Sequence, residues 1–551
     1  MQKKKLKKSP ALYIVLFAVW ACLCAWLWYN LSFGFTQPPV SADAPQWRRV
    51  LAAVLIALNG VFITYFWLNG TKDFVYVLWF RFARRSLERR YADVRRADVS
   101  GCRDKVLLLY CTCNDFDGES LLRSMRQTYA YTEAVILDDS DSEEYRARID
   151  AFGREHGVRV VRRENRAGFK AGNINHFLLS EEMRESDYRY AVILDSDEII
   201  PPDFTVNCLK YFAVYENAGI VQANHIATRN RNFFMKLFHI GVNSHWPAYQ
   251  GMKHRYGFSS MLGHGAMIKR ECYEEAGGFP DLVAEDLCLS IELRSRGYFV
   301  AFAPEIVCEE EYPVDYLAFK KRHSKWTQGN LEFIKKYTGK IARAKMAWYE
   351  KADIVLFTYN LPLTAIFGFY ILLNISILPA LGIDVGQLYP VWMLIPTAVF
   401  FLSPMLNDVF TWIFRINFFR FLLYLVCVVI LYGSMLFTSL TSALLGMFGK
   451  KAKFIVTPKN SERISLPLAL RAQYKEILFS VLLAAVSYLF CRSVLPVILI
   501  SGTGLLSLPL LFFSNRRYGE EQMRRADEKT AGVVRRQNRA LPAGGQPAEQ
   551  K

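Results

Sequence analysis

Runs of residues almost free of charge fill both ends of this chain and are absent from its middle. They lie at 11–31, 50–69, 354–382, 388–406, 421–447, 477–491 and 493–513. Several reach the roughly 20 apolar residues that a bilayer-spanning helix needs. This segregation reconciles 52 % hydrophobic with 22 % charged residues, a mixture that suits neither a soluble protein nor a pure membrane bundle. It predicts two transmembrane helices within 1–70, a water-exposed domain over 71–345 and a second membrane bundle over 346–514. The remaining 515–551 is a basic tail rich in Gly, Pro, Ala and Gln, a composition that favours disorder.

The first run follows a Lys cluster, as a signal peptide would. It is too long and Trp-rich for a signal core, and a second span follows closely, so it reads as a retained anchor. A net charge of +17 would suit nucleic acid, but its placement points to the membrane instead. Lys3, Lys4, Lys5, Lys7 and Lys8 precede the first span, and Arg81, Arg84, Arg85, Arg89 and Arg90 follow the second. Between Asn30 and Gln46 there is no Lys or Arg; Arg48 and Arg49 count the other way but are outnumbered. The positive-inside rule then places the N-terminus and central domain in the cytoplasm. The basic loop GKKAKF (449–454) is expected on the same side, so an even number of crossings separates it from the domain. One of the three apolar stretches between 354 and 447 is therefore expected to lie at the interface or re-enter. The segment WIFRINFFRF (412–421) is the candidate surface helix. Eleven Cys without a CxxC pair argue for inert thiols rather than disulfides or zinc.

From about Lys105 the pattern becomes α/β. Apolar strands at 106–112, 134–140, 158–164 and 190–198 alternate with helices at 118–130, 142–156 and from Ala171, which predicts a mostly parallel sheet. Ligands of such sheets bind beyond the carboxyl ends of the strands. Two strands end in acids there: Asp138–Asp139, and Asp195 with Asp197.

Each candidate residue has a plainer reading when taken alone. Asp195 and Asp197, spaced i, i+2 at a strand end, can hold a hard divalent ion, or form an ordinary acidic turn. Lys170, at the entrance to a helix, can face a phosphate or merely water. Glu285–Asp286 opens a helix after Gly-Gly-Phe, and Asp286 is either a general base or cap decoration. In KRHSKWTQGN (321–330), Trp326 can stack on a sugar with Arg322, His323 or Lys325 near a pyrophosphate, or sit as an interfacial Trp among basic residues.

Their order carries more than any one of them. Acid pair, Lys-Ala-Gly-Asn, Asp-x-Asp, Gly-Gly-Phe with Glu-Asp, a basic-aromatic box and a membrane bundle together resemble the membrane-integrated family-2 glycosyltransferases, which include cellulose, hyaluronan and chitin synthases. Phe454-Ile455-Val456-Thr457-Pro458-Lys459 also fits the FxVTxK gating loop of cellulose synthases. The resemblance implies an α/β, GT-A-type (Rossmann-like) cytoplasmic domain inserted between transmembrane α-helices of a bacterial inner membrane. It implies a UDP-sugar donor, UDP-glucose above others, and a growing β-linked polysaccharide acceptor that leaves through the membrane helices. It implies no nucleic acid, and leaves room for accessory secretion subunits. By the same resemblance Asp138, Asp139 and Lys170 meet the nucleotide, and Asp195 and Asp197 support Mg²⁺ or Mn²⁺. Asp286, beside Glu285, is the base, Trp326 lines the acceptor site, and Thr457 and Lys459 close over bound nucleotide. The sequence departs from the family at Ala284, where Thr is usual, and at Arg322 and Lys325, which replace Gln and Arg of the QxxRW box. GHGAMIK (263–269) and EEEYP (309–313) look closer to periplasmic and cyclic glucan synthases. A non-processive transferase acting on a lipid carrier is the alternative.

Overall fold

The computed structural model describes residues 3–36, 40–41, 43–228, 232–383, 391–449 and 464–515. At its centre is a seven-stranded mixed sheet in the order β3-β2-β1-β4-β6-β5-β7. The strands are β1 (Lys105–Thr112), β2 (Thr132–Asp138), β3 (Arg159–Arg162), β4 (Tyr188–Asp195), β5 (Ala218–Ala227), β6 (Ala266–Lys269) and β7 (Phe299–Glu310). Pairing is parallel through β3, β2, β1 and β4, antiparallel on both sides of β6, and parallel again between β5 and β7. The four strands read from the sequence are all present.

The sheet is covered on both faces, and period-2 geometry shows why β1 reads as an unbroken apolar run. Val106 and Leu108 enter one core together with Val192 and Leu194 of β4. Leu107 and Leu109 enter the opposite core with Ala191 and Ile193. Leu109 and Leu194, both without solvent exposure, each contribute about 1.5–3 kcal/mol through burial.

Among the described residues, six helices are long and apolar enough to cross a bilayer by length and composition: Ala11–Phe33, Gln46–Arg96, Leu394–Trp412, Phe418–Met447, Leu466–Cys491 and Leu495–Phe513. Three details differ from the sequence reading. The second helix does not stop near residue 70 but runs unbroken from Gln46 to Arg90, so the arginines after the apolar stretch lie on the same helix. Gly70 permits close packing there, because a Cβ would lie 2.0 Å from that of Phe400. The segment 412–421 is not a surface helix: one helix ends at Trp412 and the next starts at Phe418, capped by the Asn417 side chain. Finally, the stretch 354–382 breaks into a helix ending at Thr358, another from Thr364 and a π-turn over Leu373–Ile377. Its apolar helix, Ala365–Ala380, is shorter than the six.

Domain and helices are joined by buried polar links. Asp353, wholly buried, accepts hydrogen bonds from Tyr76 Oη at 3.1 Å, from the Phe258 amide at 2.6 Å and from Tyr13, with Lys253 Nζ 3.4 Å away. The helix Tyr316–Arg343 packs on the helix Leu436–Met447. The carboxyl edge of the sheet therefore sits close to the bundle.

Candidate active site at the carboxyl edge of the sheet

Parallel strands deliver their C-termini to one edge. Asp138 of β2 stands opposite Thr112 of β1, and Asp195 of β4 stands opposite Cys111 of β1. The turn after β4 is held from below: Tyr110 donates its hydroxyl to the Ser196 carbonyl at 2.8 Å, and Ser196 Oγ donates to Asp115 at 2.6 Å. The Asp197 carboxylate accepts the Glu311 amide at 3.3 Å.

Each acid of the first pair has its own arginine, which the sequence reading missed. Arg162 Nε donates to Asp138 at 2.6 Å. Arg163 grips Asp139 with two nitrogens, at 2.8 and 2.6 Å. The motif RRE at the end of β3, beside β2, was the available signal.

Lys170 is the second residue of the helix Phe169–Leu178, which Gly168 enters in the left-handed conformation. Its ammonium pairs with the Asp195 carboxylate and donates to the Gly263 carbonyl at 2.8 Å. Burial lowers this amine's pKa, but Asp195, Cys111 and Glu285 together outweigh it and raise the value. Gly263 also abuts the next acid: a Cβ there would lie 3.6 Å from Asp286 Oδ2. Asp286 is the second residue of the helix Glu285–Ser295, whose cap position is Ala284, so it is not the N-cap. One of its oxygens accepts the Leu287 amide at 2.7 Å. Burial raises the carboxyl pKa of both Asp286 and Glu285, while Lys170 opposes the rise. A cleft lined by Gly168, Lys170, Asp281, Glu285 and Lys336 opens beside this group.

The basic-aromatic box divides around its helix. Lys325 faces the acids: burial lowers its pKa, and Glu285 and Asp195 counter that. Arg322 lies over the ring of Trp326 at 4.7 Å and near Tyr312 and Phe319, and Trp326 is 46 % exposed. His323 does not join them. It is buried, with Nε2 2.6 Å from Ser439 Oγ of the helix bundle. Burial and then Arg322 depress its pKa to about 4, so at neutral pH it brings no charge to a pyrophosphate. Successive helical residues turn by about 100°, which separates His323 from Arg322. Thr457 and Lys459 lie outside the described residues.

Asp195 and Asp197 offer hard carboxylate oxygens, and Asp195 already holds one cation, the Lys170 ammonium. This donor set fits Mg²⁺ or Mn²⁺. A second polar cluster went unread in the sequence: Glu198, His225, His264, Cys308 and Glu310 gather behind the same turn.

The family described as glycosyl transferase family group 2 matches residues 190–441, a span holding Asp195, Asp197, Asp286 and Trp326. Two curated relatives from Arabidopsis thaliana are "Probable glucomannan 4-beta-mannosyltransferase 15", 25 % identical over 37 % of this chain and 38 % of its own length, and "Probable glucomannan 4-beta-mannosyltransferase 11", 26 % identical over 37 % and 46 %. The chain thus spans less than half the length of these relatives. Among solved structures, the mannosyltransferase PcManGT from Pyrobaculum calidifontis, in complex with GDP-Man and Mn²⁺, is 17 % identical with a TM-score of 0.40, covering 72 % of this chain and 99 % of its own. TarS of S. aureus is 12 % identical with a TM-score of 0.33, covering 56 % and 54 %. Residues 190–441 thus match the glycosyl transferase family group 2, and the chain is similar in sequence to glucomannan mannosyltransferases, with apolar helices flanking its mixed sheet.

Proposed function

We propose that this protein is a membrane-embedded, inverting hexosyltransferase that extends a β-linked polysaccharide from a nucleotide-activated hexose at the cytoplasmic face. One observation carries this reading: Lys170 is joined to Asp195 and, across Gly263, set against the half-buried Asp286. On this reading Lys170 is a leaving-group cation beside Asp286, a proton acceptor whose pKa burial raises.

The reaction is a single in-line displacement. Asp286 accepts the proton of the acceptor hydroxyl as that oxygen bonds to the anomeric carbon. The bond from that carbon to the diphosphate breaks, and its electron pair leaves with the nucleotide. Lys170 and Lys325 present fixed positive charge to the departing oxygens, an arrangement that is strongest in a site shielded from water. Asp195 and Asp197 are the residues that would hold Mg²⁺ or Mn²⁺, which when bound supplies further charge against the diphosphate. Inversion turns an α-linked donor into a β-linked product. Asp138 and Asp139, fixed by Arg162 and Arg163, receive the nucleoside. Trp326 offers its half-exposed ring to an acceptor sugar. The polar chain leaves through the helices, since it cannot cross hydrocarbon unaided. Lys and Arg flanking the first two helices support the cytoplasmic placement.

The motifs favour glucose, and the names of the plant relatives favour mannose. Purified full-length protein in nanodiscs, given UDP-glucose or GDP-mannose with Mg²⁺ or Mn²⁺, is expected to release the nucleoside diphosphate and form polymer with one of them. Asp286→Asn is expected to lower turnover about 10²–10⁴-fold with nucleotide affinity kept. Loss of nucleotide binding in that variant would sink the base assignment. Product that extracts into organic solvent would assign the chain to lipid-carrier transferases instead.

A further inference from the structure

Glu198 follows the Asp-x-Asp turn directly, and its side chain points away from the donor site into the sheet. There it meets His225 of β5, His264 of the segment before β6, and Cys308 and Glu310 of β7. The strand register makes this meeting obligatory: β5 and β7 pair in parallel, with His225 opposite Cys308 and Ala227 opposite Glu310. Glu198, His225 and Cys308 are 1 %, 1 % and 0 % exposed, and one ligand atom from each lies within 4.8 Å of the others. The two imidazoles stack with centroids 4.4 Å apart and planes 5° apart, so they do not hydrogen-bond each other.

Burial on this scale requires every polar atom to find a partner. Three here, Glu198 Oε1, His225 Nε2 and His264 Nδ1, make no well-aligned hydrogen bond and meet only one another's residues. Yet they converge, with His225 Nε2 3.4 Å from Glu198 Oε1 and His264 Nδ1 3.2 Å from Glu198 Oε2. The other carboxylate oxygen, Oε2, is also occupied by the Gly265 amide at 3.0 Å. The backbone meanwhile keeps this space clear. Gly265 has φ +57°, and a Cβ there would lie 2.2 Å from His225 Nε2 and 2.4 Å from Glu198 Oε1.

We propose that Glu198, His225 and Cys308, with His264 beside them, bind a structural zinc ion that fastens the Asp-x-Asp turn to β5 and β7. A thiolate, the His225 imidazole and a carboxylate form a donor set that suits zinc and is unlike the all-oxygen pair of Asp195 and Asp197. Binding requires neutral imidazole and converts the Cys308 thiol to thiolate, releasing one proton to solvent. Glu310, 3.5 Å from His264 Nε2 on the far side, orients that ring. The site stands independently of the transfer reaction, and its test needs no donor sugar.

The full chain, purified in detergent and washed with EDTA to strip loosely held ions, is expected to retain about one zinc per chain by elemental analysis. Protein grown with cobalt is expected to show a thiolate-to-cobalt charge-transfer band that Cys308→Ser abolishes. His225→Gln is expected to lose the ion, while the Asp195→Asn, Asp197→Asn double variant keeps it. Folded, monodisperse wild-type protein that contains no zinc and takes up no cobalt would overturn the proposal, leaving an imidazolium–carboxylate pair. An ion lost from the Asp195/Asp197 variant but not from His225→Gln would overturn it equally.

Discussion

The carboxyl edge of the sheet and the helix Tyr316–Arg343 received the same treatment in the sequence, a short motif with a charge pattern, and only the first met the acids as a unit. At the edge, neighbouring parallel strands bring Asp138 and Asp195 to one border because strand register leaves them no alternative. On the helix, four candidates fall within five consecutive residues yet point in different directions. Lys325 faces Glu285 and Asp195, Arg322 and Trp326 pair with each other, and His323 bonds Ser439. A motif at a strand end therefore describes a place, whereas a motif along a helix describes several.

The comparison is tested hardest where the edge is most tightly built. Arg163 and Asp139 are each 6 % exposed and joined by two hydrogen bonds. Removing one partner strands a buried charge, so Arg163→Met is expected to cost about 3–5 kcal/mol, read as a large fall in apparent melting temperature. A shift within error would mean that water reaches Asp139 freely and that the edge is not preorganised. Next comes Lys170→Met, expected to lower turnover about 10²–10³-fold. It also has a sign in pH. Burial raises the Asp286 carboxyl and Lys170 pulls it back, so removing the cation raises it further. The base form is lost as pH falls, hence the acid limb of the rate profile is expected to move to higher pH in the variant. An unmoved limb would show that Asp286 does not sense Lys170.

What could be read in advance follows from the same geometry. The strands β1 to β4, the helices between them and the acids at their ends were legible because apolar period and strand termini are local properties. The arginines behind Asp138 and Asp139 were not, since pairing depends on β3 lying beside β2. Glu198, His225, His264 and Cys308 come from four separate segments, so their meeting carries no spacing signature of the CxxC kind. The second helix outlasts its apolar stretch, and the arginines up to Arg90 continue it, because a helix need not end where its apolar run does.

Lys325 tests whether any part of the box belongs with the edge. Its pKa is lowered by burial and opposed by Glu285 and Asp195, so its charge is held close to the acids at some cost. Lys325→Met is expected to reduce turnover by about tenfold, the worth of one charge-assisted contact of roughly 1.5–3 kcal/mol at its lower end. Lys325→Arg restores charge and offers a planar fork, and is expected to recover most of the rate. Failure of both variants alike would indicate a steric role.

The smallest effect is expected at His323, and it discriminates best between a box that acts as a unit and one that divides. The ring is buried against Phe319 and bonded to Ser439, and its depressed pKa, about 4, leaves it neutral in the range where Asp286 works. His323→Phe removes the hydrogen bond and keeps the stacked ring. It is expected to cost about 1 kcal/mol of stability, seen as a modest drop in apparent melting temperature, with turnover changed less than about threefold. His323→Gln, which can still reach the Ser439 hydroxyl, is expected to restore most of the stability. Were His323→Phe to lose as much activity as Lys325→Met without losing stability, the histidine would have to reach the substrate. The helix motif would then act as one unit, and the contrast with the sheet edge would disappear.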